Sequence, residues 1–181
     1  SKISTSLEKR NNVELIADEL IASGYTPESI NAMVGNIGKE SNFSVQSESF
    51  AYKNPERIKQ VFPSLFKGLT EEESIKKSQE LSALSTTNQS AFAEKIYGAN
   101  TEKGKKLGNV EEGDAFKFRG RGFIQLTGRA NYQEASKEIF GDNTLVDNPD
   151  LASEPQVAAK IAAWYGKKRG VSKITDQELD R

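Results

Sequence analysis

The sequence predicts a mainly α-helical chain with one small β element. Three observations carry that prediction. Most of the chain divides into amphipathic stretches with a 3.6-residue period, each bounded by a capping residue, a proline or a glycine. Only Gly120–Thr127 is glycine-rich and extended in character. The 181 residues contain five scattered prolines, with no Gly/Ser linker and no internal repeat, which suits one compact domain with a real core.

Taken in order, residues 12–23 read as a helix with Val13, Ile16, Ala17, Leu20 and Ile21 on one stripe, stopped by Gly24. Thr26 caps the next helix, Pro27 suits its first turn, and Glu28 complements its positive end. Ile30, Met33, Val34 and Ile37 form its buried stripe. Residues 42–54 lack a helical period and read as a loop or small hairpin. Asn54-Pro55-Glu56 opens a short helix through Val61 that Pro63 ends. Thr70 to Glu73 resembles a capping box, starting a helix to about Leu84. Residues 87–96, 131–140 and 154–168 complete the helices. Residues 100–117, rich in glycine and lysine, read as a mobile surface excursion.

Composition narrows the chemistry. Lys and Arg total 25 against 26 Asp and Glu, so a dominant nucleic-acid or anionic-membrane partner is not expected. Cysteine and histidine are absent, which removes disulfides, thiol nucleophiles, His-based zinc sites and His-dependent triads. Catalysis must then rest on carboxylates, tyrosines, lysines, hydroxyls or a carboxylate-bound metal. No run reaches transmembrane length and no signal-peptide stretch opens the chain, so the expectation is a protein made in the cytosol or excised from something longer.

The stretch from Gly120 to Asn131 combines three glycines, two arginines and the hydrogen-bonding side chains Gln125, Thr127 and Asn131. Glycines admit close backbone approach, and the three polar side chains suit an N-acetylated sugar. The structural alternative is a tight strand-turn-helix junction with Asn131 as helix cap. Glu40 extends the apolar stripe by three residues and ends its helix, so a buried margin and the negative helix end both favour a protonated carboxyl, the form a general acid needs. The alternative is a surface Glu solvating a helix end beside Lys39. Glu48, between Ser47 and Ser49, sits in a setting that keeps a carboxylate ionised. Among eight aromatics flanking these regions, Tyr52 and Tyr97 lie in or beside loops and are candidates to hold a sugar ring; most of the rest are expected in the core. Asp142-Asn143 and Asp147-Asn148 lack EF-hand spacing and read as turn chemistry.

The segment Gly120-Arg121-Gly122-Phe123-Ile124-Gln125-Leu126-Thr127-Gly128-Arg129-Ala130-Asn131-Tyr132 resembles the signature of family 19 glycoside hydrolases, the chitinases and, more closely, the phage endolysins of that family. Gly38-Lys39-Glu40-Ser41-Asn42-Phe43 resembles the segment with their catalytic acid, and Glu48-Ser49-Phe50-Ala51-Tyr52 the segment with the second glutamate. Similarity continues in order through Tyr97-Gly98, Leu107-Gly108-Asn109, Glu112-Gly113-Asp114, Asn148-Pro149-Asp150-Leu151 and the helix around Trp164. The resemblance implies a lysozyme-like α+β fold, two helical lobes around a substrate cleft. It implies an inverting mechanism with Glu40 as general acid and Glu48 as general base, their carboxyls roughly 6.5–9.5 Å apart. It puts Gln125, Thr127 and Asn131 on positions that bind sugar or orient water, with no metal or other cofactor.

There are departures. Lys39 stands where relatives often carry histidine, and the chain reaches Leu179-Asp180-Arg181 without the family's Asn-Gly-Gly segment. That leaves three alternatives for the single catalytic domain spanning 1–181: a processed or truncated piece, a segment supplied from elsewhere, or a wall built differently. The resemblance favours a phage-encoded hydrolase of β-1,4 bonds in peptidoglycan glycan strands, acting on the periplasmic wall or carried in the virion beside other particle proteins. A chitinase, a lytic transglycosylase and a non-catalytic wall-binding or phage structural component stay open.

Overall fold

The computed structural model of the protein describes residues 2–173. Their elements run α1 (Lys2–Ala22), α2 (Pro27–Ser41), β1 (Gln46–Ser47), α3 (Pro55–Val61), a 3-10 turn (Pro63–Phe66), α4 (Glu71–Thr87) and α5 (Gln89–Tyr97). There follow α6 (Glu102–Lys106), α7 (Asp114–Lys117), β2 (Arg121–Gly122), α8 (Arg129–Phe140), α9 (Thr144–Asp147), a 3-10 turn (Pro149–Ser153), α10 (Pro155–Lys168) and a last 3-10 turn (Val171–Lys173). The mainly α, lysozyme-like fold class stands, and the β content among the described residues is one two-stranded antiparallel sheet pairing Gln46 with Gly122 and Ser47 with Arg121. No helix of the described residues is long and apolar enough to cross a membrane.

Contacts divide the chain into two compact units. The first comprises Ser1–Ser47, Gly120–Thr127 and Asn131–Arg181. Its core joins Ile16 and Leu20 of α1, Met33 and Ile37 of α2, Phe123, and a run of alanines on α10. Small residues let α10 seat closely: a Cβ on Gly166 would stand 2.4 Å from Tyr25 Oη and 2.8 Å from Met33 Cε. Tyr25 satisfies its buried hydroxyl by donating to the Ala163 carbonyl at 2.6 Å.

The second unit comprises Glu48–Arg119 and Gly128–Ala130. Its core is aromatic: Phe50, Phe62 and Phe92 are buried with Ile58, Leu81, Ala93 and Ile96. Helix α4 turns serines toward that core. Ser85 Oγ accepts from Tyr52 N at 3.0 Å, and Ser82 Oγ donates to the Tyr52 carbonyl at 2.7 Å. The extended segment after Glu48 thereby satisfies its backbone without joining a sheet.

The sequence signals for helix starts hold. Thr26 accepts from Ser29 N, Asn54 from Glu56 N, and Thr70 with Glu73 forms a complete capping box. Other expectations need correction. α1 starts ten residues earlier than position 12, and Ile21 of its proposed stripe is 62% exposed. Buried Asn12 takes a place in that interface instead, donating from Nδ2 to the Phe43 carbonyl at 2.8 Å. Pro63 ends α3 but opens a 3-10 turn. Residues 100–117 contain α6 and α7, and Gly104, Asn109, Asp114 and Ala115 are buried, so they form part of the second unit's structure. The proposed Leu179 to Arg181 departure lies outside the described residues.

Candidate active site

Glu40 lies in the last turn of α2, in the first unit. The chain beyond it turns sharply: Asn42 and Phe43 both take left-handed backbone, φ 52° and 59°. Such a pair is costly for residues with a Cβ. It folds the Phe43 ring back onto Gly38, where an added Cβ would stand 2.8 Å from Cζ. Gly38 is therefore required by the turn that follows Glu40. The expected buried margin is corrected: Glu40 is exposed, because it stands three residues past Ile37, some 60° off the stripe in a 3.6-residue helix, and at the helix end. It lines a cavity of about 170 Å³ with Met33, Asn36, Ile37, Ile124 and Arg169.

Glu48 is half-buried and opens the second unit. Its charge reaches both tyrosines picked from the sequence. Burial first, then Glu48, pushes the Tyr97 phenol up to about 12. Burial and Glu48 also raise Tyr52, against a smaller opposing effect of Arg57. The two half-buried rings rest on the aromatic core, Tyr97 edge-on to Phe50 at 5.9 Å and Tyr52 edge-on to Phe62 at 5.4 Å. The structure thus brings Glu48, Tyr52 and Tyr97 into one cluster.

Gln125, Thr127 and Asn131 form a second group, in the first unit. Gln125 takes left-handed backbone, φ 53°, inside a tight reversal closed by Arg121 N to the Leu126 carbonyl (3.1 Å) and Leu126 N to the Arg121 carbonyl (3.0 Å). Gln125 Nε2 donates to the carbonyls of Gln46 and Gly122, both at 2.9 Å. Thr127 Oγ1 donates to the Gln125 carbonyl, and Asn131 Nδ2 to the Thr127 carbonyl, each at 2.8 Å. Among the described residues no hydrogen bond reaches the Gln125 or Asn131 amide oxygen, and each can accept one. Asn131 does not cap α8: it lies inside the first turn. The helix start is met by a remote residue, Asn109, whose Oδ1 accepts from Arg129 N at 2.9 Å while its Nδ2 donates to the Tyr97 carbonyl at 2.8 Å.

Sequence reasoning missed the polar frame around this motif. Arg129 grips the buried Asp114 carboxylate with Nε and Nη2, both at 2.8 Å, and reaches Glu111 at 3.0 Å. Asp114 also accepts from the backbone N–H groups of Val110 and Glu111. Burial opposes the charge, yet Arg129 and those amides hold the carboxyl below its ordinary value. Arg121, also buried, donates from Nη1 to Tyr132 Oη at 2.9 Å and pairs with Asp150 at 3.1 Å. The only sequence cue was the pair of arginines, Arg121 and Arg129, inside the signature. Among the other aromatics, Phe50, Phe118, Phe123 and Tyr132 are core, whereas Phe43 and Phe116 are half-buried. Asp142 is turn chemistry as expected, accepting from Thr144 N at 2.9 Å ahead of α9.

Known proteins are similar to this chain over part of its length. A Haemophilus influenzae protein described as glycosyl hydrolase family 19 domain-containing is 35% identical over 82 residues, 44% of this chain and 40% of that protein. The acidic 26 kDa endochitinase of Solanum lycopersicum is 42% identical over 57 residues, 31% of this chain and 22% of its own length. The acidic endochitinase of Petunia hybrida is 44% identical over 64 residues, 35% and 22% of the two chains. The matches thus span less than half of each relative. The family model described as Chitinase class I matches residues 81–175, more than half of this chain, from α4 past the Asp114–Arg129 frame and the Gln125 reversal to α10. The chain belongs to glycoside hydrolase family 19.

Proposed function

We propose that this chain hydrolyses β-1,4 glycosidic bonds of peptidoglycan glycan strands with inversion, using Glu40 as general acid and Glu48 as general base. Glu40 gives its proton to the leaving oxygen as the C1–O bond breaks. Glu48 takes a proton from the water whose oxygen bonds to C1 on the opposite face. One proton leaves the pair and one arrives, and solvent exchange resets both. Tyr52 and Tyr97 offer ring edges and hydroxyls to the sugar, and Gln125, Thr127 and Asn131 orient its acetamido groups or the water.

The observation that carries this reading is the Glu48–Tyr52–Tyr97 cluster, a carboxylate whose charge reaches two half-buried phenols that burial first and Glu48 second keep neutral. Family membership supports glycosidic chemistry, and the endolysin-like signature favours the bacterial wall and a bacteriolytic, phage-type role. A second substrate, chitin, is favoured by the endochitinase descriptions of the plant relatives.

Turbidity of permeabilised Gram-negative cells tests the proposal. The native chain clears the suspension, and Glu40→Gln does not. Clearance that persists in Glu40→Gln removes Glu40 as the acid, and no clearance by the native chain favours a non-catalytic wall component. Mass analysis of released fragments finds reducing ends; anhydro ends mean a transglycosylase.

A further inference from the structure

The cavity beside Glu40 joins an apolar lining to charged and polar side chains. Its apolar lining is Met33, Ile37, Ile124 and Val171. Its polar lining adds Asn36, Tyr165 and Arg169 to Glu40. At about 170 Å³ it is smaller than the roughly 300–1,000 Å³ of pockets that enclose a whole drug-sized ligand, so it suits one part of a longer ligand.

Arg169 is the residue that gives the cavity a sign. It is the C-cap of α10. Its Nη1 donates to Tyr165 Oη at 3.0 Å, and its guanidinium carbon lies 5.4 Å from the Tyr165 ring centroid. This contact joins two exposed side chains one turn apart on the helix and leaves further N–H donors in the fork. Among the described residues, no ion pair within 4 Å joins Arg169 to a carboxylate. A guanidinium that lines a cavity with apolar neighbours and keeps free N–H donors can bind a carboxylate in a forked geometry.

We infer that this cavity takes a carboxylate-bearing substituent of the glycan strand, with Arg169 and Asn36 on the carboxylate and the apolar lining against its carbon atoms. Muramic acid carries such a group on alternate sugars, either as a free lactyl carboxylate or through the peptide stem joined to it. Chitin carries none. Arg169 is thus a specificity-determining residue, and the inference rests on the glycan-binding reading above.

The test is equilibrium binding by calorimetry in the Glu48→Gln background, so that turnover does not consume ligand. Three probes are used: a peptide-free GlcNAc–MurNAc tetramer, the same strand with peptide stems, and the N-acetylglucosamine tetramer. The expected result is tighter binding of a carboxylate-bearing strand, reduced roughly 10–100-fold by Arg169→Gln with the N-acetylglucosamine tetramer unaffected. Arg169→Lys, which keeps the charge, retains part of the preference. Preference for the peptide-free strand assigns the lactyl carboxylate; preference only for the peptide-bearing strand assigns the stem. Equal binding of all three probes, or an equal loss on all three in Arg169→Gln, overturns the inference. Cleavage assays on the native chain separate the two claims: cleavage without preference removes the inference alone, and preference without cleavage removes the hydrolase reading alone.

Discussion

Glu48 and Tyr97 report on each other. A phenol raised by burial and by a neighbouring carboxylate stays neutral where an unfolded tyrosine ionises. Its stabilising contribution is complete below the ordinary value of 10.0 and is lost as the pH rises toward about 12. Ultraviolet titration of the native chain shows a late-ionising tyrosine, and Glu48→Gln moves that phase to lower pH. An unchanged late phase would separate Glu48 from Tyr97. Asp114 has the opposite sign. Its folded value lies below 3.8, so its contribution is complete above that pH and falls away in stronger acid. Asp114→Asn leaves Arg129 only its exposed partner Glu111 and lowers stability at neutral pH by roughly 1–3 kcal/mol in denaturant titrations, with a flatter acid dependence than the native chain.

At the scale of elements, what could be read from the sequence was what is local. Thr26-Pro27, Asn54-Pro55 and the Thr70–Glu73 box each place a helix start within a few residues, because the cap and the amides it satisfies adjoin in the chain. Residues 100–117 hid their structure, because their order comes from distant partners: Arg129 on Asp114, Glu94 on Gly113 N, and Asn109 bridging Tyr97 to the start of α8. No apolar period announces such contacts. Glu40's place at a helix end was legible, and its exposure follows from its roughly 60° offset from the stripe, which the three-residue spacing from Ile37 already contained. The Gln125 reversal was visible through its glycines, while the hydrogen bonds linking Gln125, Thr127 and Asn131 were not. Gly38→Ala tests the turn after Glu40. It drives a methyl into the Phe43 ring, costing about 1–3 kcal/mol in thermal or denaturant unfolding, and an unaffected stability would mean the ring is free to leave.

Across the whole molecule, two units carry the candidate residues, Glu40 with the Gln125 group in one and Glu48 with its tyrosines in the other. Each unit has its own core, aliphatic in the first and aromatic in the second. The proposed chemistry needs both carboxylates, so substitution of either lowers turnover, by roughly 10²–10⁴-fold for a lost general acid or base. A transglycosylase needs one acid alone and would tolerate Glu48→Gln.

Proton NMR of the first sugar released, recorded before mutarotation, tests inversion by two glutamates most directly. The account predicts that the new reducing end appears as the α-anomer, and that Glu40→Gln and Glu48→Gln each abolish its formation. A β-anomer, an anhydro end, or full activity in Glu48→Gln would contradict it.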